Sequence, residues 1–231
     1  MATLLSLCQD ALNDVDGFEL PSSIIGNTDP TAVLLLSLAT RVGRELEREV
    51  KWAALETAYS FATVAATAAY DLPEDYRRFV NQTIYNVSEE QPLIGPVSGM
   101  LWADLTRGSF ECGFLYSYRV KGNRIHLTPT PTDVQTVGFD YYSKYFCTDD
   151  DGVAQAGWLA DTDLFRLDEE LATLGISYRF KARKGLPFAE EKADYVAAVS
   201  ALKFDETPKA IIDVSGVPRY AHSNIPSRNW G

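Results

Sequence analysis

Histidine is nearly absent from this chain of 231 residues, with His126 and His222 the only two. A Ser-His-Asp triad or a multi-histidine metal centre therefore has little material, and no catalytic residue, metal or cofactor is expected. Cysteine is scarce as well. Cys8, Cys112 and Cys147 are odd in number, far apart and not arranged as CxxC, which points away from a disulfide framework or a zinc site and fits a reducing compartment. Long uncharged apolar runs are missing, and the run from Val33 to Leu38 is too short to span a bilayer, so no membrane partner is expected. The first residues lack a basic region and Asp10, Asp14 and Asp16 follow soon after, which does not read as a secretory leader. Basic residues are in deficit, 21 against 32 acidic, and the formal net charge of −11 disfavours a surface that grips nucleic acid along its phosphates.

What is present is apolar material. At 46% hydrophobic the chain can build one large domain or two small ones sharing a core. Acidic residues outnumber basic ones 8 to 4 over residues 1–52 and 13 to 7 over 53–157, but only 11 to 10 over 158–231, so the last third is close to neutral.

Helical periodicity comes first. Leu4, Leu7, Ala11, Leu12 and Val15 recur at three- and four-residue steps behind Thr3 as N-cap, with Gly17 as the stop. Asp29-Pro30 is an N-cap followed by a proline at the first helical position, and Leu35, Leu38, Val42 and Leu46 form the stripe of a long second helix. Strand-like alternation then takes over from Ala58 to Val64, in a hairpin whose second strand is broken at Leu72-Pro73-Glu74-Asp75, with a further strand at Gln82 to Val87. Pro96 and Ser98 precede a short amphipathic helix through Met100, Leu101, Trp102 and Leu105, ended by Gly108. Phe114, Tyr116, Tyr118 and Val120 alternate into the turn Lys121-Gly122-Asn123-Arg124 and a return strand to Thr128, and a long strand through Val137, Phe139 and Tyr141 should end near Cys147.

The helical period returns with Leu167, Leu171, Leu174 and Tyr178, closed by Gly185. Pro187 then opens a last helix at its first turn, with Phe188, Tyr195, Val199 and Leu202 as stripe. From Glu206 onward, prolines and glycines break the pattern, leaving an extended tail. The helices at the two ends are expected to meet, since neither pair alone has enough apolar stripe for a bundle. The expected fold class is α+β: a helical bundle from residues 1–54 and 148–205, an inserted antiparallel β domain over 55–147, and an extended C-terminal tail over 206–231.

Three stretches carry a resemblance: Gly26-Asn27-Thr28-Asp29-Pro30 with Leu38-Ala39 and Arg44-Glu45-Leu46; Tyr70-Asp71-Leu72-Pro73-Glu74-Asp75-Tyr76-Arg77-Arg78-Phe79; and Leu167-Asp168-Glu169-Glu170-Leu171 with Arg179-Phe180 and Lys184-Gly185-Leu186-Pro187-Phe188-Ala189-Glu190-Glu191. In order and spacing they resemble the head-to-tail connector and adaptor proteins of tailed phages, of the tail tubular protein A and packaged-DNA stabilisation type. The resemblance implies a structural protein of the virion and not an enzyme. It implies a ring, twelvefold in the family, that sits beneath the portal protein, retains packaged DNA, extends the channel through which double-stranded DNA passes without sequence-specific binding, and receives the downstream tail or nozzle protein. It also implies a C-terminal extension that reaches the portal, for which Ile211, Ile212, Val214, Tyr220 and Trp230 are the expected anchors.

Competing chemistry has its own residues. Arg179, Lys181, Arg183 and Lys184 suit the negative end of a helix dipole, while Arg179, Arg183 and Lys184 are also the expected subunit or portal contacts. Asp149, Asp150 and Asp151, with Asp161 and Asp163, fail the EF-hand spacing and read as a solvated turn. Glu169-Glu170 and Glu190-Glu191 would be needed by the alternative of a cell-wall-acting glycoside hydrolase with paired carboxylates, but neighbours on a helix diverge and helix N-termini explain them. Tyr141, Tyr142, Tyr145 and Phe146 suit core or interface packing; a glycan-binding tail module would use them as a stacking platform. His126 reads as a solvent-facing strand residue.

Overall fold

The computed structural model describes residues 1–13, 15, 17–107 and 117–205. The expectations placed on Gly108, Phe114, Tyr116 and the tail lie outside the described residues.

The first helix, α1 (Leu4–Asn13), starts where Thr3 Oγ1 accepts from the Ser6 amide at 3.1 Å, and it buries Leu4, Leu7, Cys8, Ala11 and Leu12. It stops short of Gly17 because the Val15 amide donates to Leu12 O, tightening the last turn into a three-residue closure. The second helix, α2 (Pro30–Glu49), is capped by Asp29 Oδ2, which accepts from the amides of Thr31 and Ala32 at 2.8 and 3.2 Å. Its predicted stripe is buried, together with Gly43, where a Cβ would stand 2.5 Å from the ring of Phe146.

Near the other end of the chain, α4 (Glu169–Lys184) is capped by Asp168, whose side chain accepts from the Leu171 amide, and it ends on Gly185 in the left-handed conformation. The last helix, α5 (Ala189–Asp205), begins after Pro187 instead of containing it. The Phe188 carbonyl accepts the first helical bond, from the Lys192 amide, so Pro187 directs the chain into the helix from outside. α4 packs against α1, α2 and α5, and one buried cluster joins Leu7, Leu35, Leu46, Leu171, Ile176 and Phe180. The fold is α+β, with helices from both ends in one core.

Between them run β1 (Glu56–Ala62), β2 (Ala69–Asp71), β3 (Tyr76–Phe79), β4 (Tyr85–Asn86), β5 (Gln91–Pro92), the helix α3 (Gly99–Arg107), β6 (Ser117–Lys121), β7 (Arg124–Thr128) and β8 (Thr136–Ser143). One sheet has the order β1-β8-β4-β5, with β3 also paired to β8; a second has the order β2-β7-β6, and all ladders are antiparallel. The expected tight turn joins β6 to β7, with Gly122 and Asn123 both at positive φ. Ile84, Leu93, Tyr118, Ile125, Leu127 and Phe139 lie in a second core.

Three local expectations are corrected. β1 and β2 do not form a hairpin: β1 pairs along its whole length with β8, from Glu56 opposite Tyr142 to Ala62 opposite Thr136, and β2 pairs with β7. The chain is turned away after β1 by the Thr63 amide donating to Gln135 O and by Ala66 at φ +61°. The strand expected over Gln82 to Val87 shrinks to β4, because Gln82 sits at positive φ and Thr83 Oγ1 ties back to Val80 O. The long strand through Tyr141 ends at Ser143, whose Oγ accepts from the Tyr145 amide and bends the chain. Beyond the bend, β9 (Cys147–Thr148), β10 (Ala154–Gln155) and β11 (Leu164–Phe165) form a small third sheet in the order β10-β9-β11, which the sequence patterns did not suggest.

Phe146 is fully buried in the helical core, against Trp158, Phe165 and the bare backbone of Gly43. Phe146→Ala is predicted to cost about 3–5 kcal/mol in urea unfolding, whereas Val153→Ala, 61% exposed, should change stability by less than about 0.5 kcal/mol.

Candidate assembly surfaces

The basic end of α4 divides into an inward and an outward half. Arg179 is 8% exposed. Its Nη2 donates to both carboxylate oxygens of Glu45 on α2 at 2.6 and 2.7 Å, and its Nη1 donates to Gly175 O at 2.8 Å. The guanidinium also lies over the rings of Tyr178 and Tyr195, 4.4 and 5.1 Å from their centroids, and Tyr195 donates its hydroxyl proton to Glu45. Burial, reinforced by Glu45, pushes the Tyr195 hydroxyl well above its usual range. Lys181 bonds to Glu191 of α5, and that hydrogen bond holds the Glu191 carboxyl below its usual range. Arg183 is exposed, and Lys184, also exposed, reaches over the rings of Phe18 and Phe180 at 5.1 and 5.4 Å.

A second surface lies on the faces of α2 that carry mixed charge in the sequence. The outer side of α2 forms an open groove of about 850 Å³, whose lining includes Val33, Leu36, Arg41, Arg44 and Arg48 together with Glu45 and Glu49. Glu49 bonds to Lys203 of α5. The signal lay in a 20-residue helix whose apolar stripe covers one side, leaving Val33, Ser37, Thr40, Arg44 and Arg48 in register along another.

The two cores meet through charge. Arg78 of β3 donates from Nη2 to Val50 O at 2.7 Å, capping the end of α2, and lies 5.4 Å from the ring centroid of Tyr142. Arg166 donates to Tyr145 O and Ala54 O at 3.0 and 2.7 Å, while within the helical core the Trp52 indole donates to Leu46 O at 2.9 Å. Glu47 of α2, 5% exposed, has Arg77 Nε 3.1 Å from Oε1 in an ion pair without hydrogen-bond geometry. Burial outweighs the neighbouring Arg77 and Arg78 and raises the Glu47 carboxyl above its usual range.

The remaining reactive groups are held inside the fold. Burial, followed by Asp161 and Asp163 respectively, pushes the thiols of Cys8 and Cys147 up to about 12, so neither is a thiolate at neutral pH. Asp161 accepts from the amides of Ile24 and Ile25, Asp163 accepts from the Ala160 amide, and Asp149 Oδ1 closes a turn by accepting from Asp151 and Val153. Glu169 pairs with the Met1 amine at 2.9 Å. Of the bunch Tyr141, Tyr142, Tyr145 and Phe146, only Tyr145 is partly exposed, and the other three are buried. Ile211, Ile212, Val214, Tyr220 and Trp230 lie outside the described residues. Among the described residues, no group of three or more His, Cys, Asp or Glu side chains is placed to hold a metal ion, and no helix is long and apolar enough to cross a membrane.

Most of the polar side chains described above brace one element against another. The family of the SU10 adaptor protein matches residues 2–222. The chain belongs to this family of tailed-phage adaptor proteins, and is thus a component of the virion whose class implies contact with portal and tail proteins. No curated protein matches the chain.

Two predictions follow from the paired charges. Glu45→Gln leaves the enclosed Arg179 guanidinium without its counter-charge and is predicted to cost about 3–5 kcal/mol in chemical denaturation; Arg179→Met should cost less, because Glu45, with a third of its side chain exposed, regains water. For Glu47, a folded-state pKa above the unfolded value means that the folded chain binds the proton more tightly. That contribution to stability is present in acid and lost as pH rises through the folded pKa. Glu47→Gln is therefore predicted to have a higher urea midpoint than the wild type at neutral pH, with the difference vanishing in acid.

Proposed function

We propose that this adaptor assembles with copies of itself into a closed ring, twelvefold as in the related connectors, beneath the portal. The ring extends the DNA channel, retains packaged DNA and offers the docking platform for the next tail component. The observation that carries the reading is the union of α1, α2, α4 and α5 in one core, which leaves the charged outer groove of α2 on one side and Arg183 with Lys184 at the end of α4. A wedge with patterned charge on its flanks supports register between identical copies, since charge placement sets orientation more than affinity. Arg179 braces the wedge from within through Glu45.

The acidic balance of −11 per chain suits a passage that lets DNA slide. The segment 206–231, rich in proline and glycine, suits a strap that orders on the portal, with Ile211, Ile212, Val214, Tyr220 and Trp230 as its anchors. The protein acts by contact and performs no reaction.

Mass measurement on mixtures with the portal tests this. Full-length chain should join the portal as a ring, and a chain stopped at Asp205 should lose that binding. Equal binding by both chains would remove the strap from the account, and full-length chain that stays a monomer beside the portal would remove the ring.

A further inference from the structure

α3 is amphipathic in sequence, yet none of its residues is buried. It lies over the face of the β2-β7-β6 sheet opposite to Tyr118, Ile125 and Leu127, which point into the β core. Trp102 makes the approach, its ring edge-on to His126 with centroids 6.3 Å apart. Between helix and sheet remains a cleft of about 280 Å³, lined by Trp102, Thr106, Arg107, Arg119, Lys121 and His126. Arg119 and Lys121 stand two residues apart on one strand and so share a face, and His126 is the direct cross-strand partner of Arg119. Gly99 leaves room for the guanidinium: a Cβ there would lie 3.4 Å from Arg119 Nη2.

Among the described residues, no carboxylate lines this cleft. Asp71, on the same sheet, is engaged by Arg124 at 2.7 Å, and among the described residues Arg107, Arg119 and Lys121 have no ion-pair partner. Three like charges gathered in one concavity repel each other unless an anion joins them. In a chain of net charge −11, that concentration stands against the overall balance.

We propose that the cleft binds a phosphate group, held between Arg119 and Lys121, with Arg107 closing from α3 and Trp102 as the wall for the attached moiety. Guanidinium and ammonium groups together match the several oxygens of a phosphate better than the two of a carboxylate. The volume lies just under the range usual for small-molecule pockets, room for one phosphate and its sugar but not for a duplex. A nucleotide could fill it, or a nucleic-acid backbone could offer one phosphate at its mouth. The site lies apart from the helical flanks, so a monomer would show it as well as a ring.

Calorimetric titration of the full chain with inorganic phosphate, a nucleoside monophosphate, a short DNA duplex and an acidic peptide tests the proposal. The phosphate probes should bind, and Arg119→Gln with Lys121→Gln should weaken them about tenfold per cation removed. The exchange Arg119→Lys with Lys121→Arg keeps the charge and should keep most of the binding. A monophosphate tighter than the duplex assigns a nucleotide; duplex binding that falls steeply with salt and disappears in the Gln variant assigns the backbone. The proposal is overturned if no phosphate probe binds the wild type, if the Gln variant binds as well as the wild type, if the charge-keeping exchange loses binding while its circular dichroism is unchanged, or if the acidic peptide binds more tightly than every phosphate probe.

Discussion

α4 comes from the last third of the chain yet lies against α1, α2 and α5, and the close approach of these helices depends on one small residue. At Gly175 a Cβ would stand 3.0 Å from both Val42 of α2 and Tyr195 of α5, so a side chain there would have to displace its neighbours on both helices. One turn along, Arg179 reaches to Glu45 and is covered by two tyrosine rings. Apolar contact supplies the energy here, about 1.5–3 kcal/mol for each large side chain removed from water, and the ion pair fixes how the helices are rotated. The four helices thus form one packed unit, held by apolar contact and oriented by one enclosed ion pair.

The β part is tied to that wedge by arginines that cap or pair with α2 and its surroundings. β8 lies at the centre of its sheet, and successive residues at its end serve different cores, Tyr141 the β core and Tyr142 the helical core. Arg78 stands beside Tyr142 and holds the carbonyl of Val50 at the end of α2. Burial raises the carboxyl of Glu47 nearby above its usual range, against the opposing pull of Arg77, Arg78, Arg48 and Lys144. Directional bonds from these arginines thus join the two cores beside the apolar contact that Tyr142 makes.

Much of this was legible in the sequence, and the parts that were share a local cause. Thr3, Asp29 and Gly185 act within three or four residues of themselves, so these helix ends could be read from neighbours alone. The Lys121-to-Arg124 turn was readable for the same reason. The pairing of β1 with β8, about 80 residues away, was not, because alternation shows that a strand exists and not which strand it meets. The two-residue strands β9, β10 and β11 are too short to show a period. Arg179 was read as a surface contact residue because it falls in a basic run at a helix end; only its distant partner Glu45 reveals that it faces inward. The cleft under α3 needs cross-strand register to bring Arg119 and His126 together, which no linear reading supplies.

The account stands on helices from the two ends of the chain forming one cooperative body. Native-state hydrogen exchange on the isolated chain measures this directly, through the opening free energies of amides in α1, α2 and α4. The account predicts that the slowest amides of all three helices open together, at the free energy of global unfolding, and that Gly175→Leu lowers all three in step. Amides of α4 that exchange at a much lower free energy than those of α1 and α2 would contradict it.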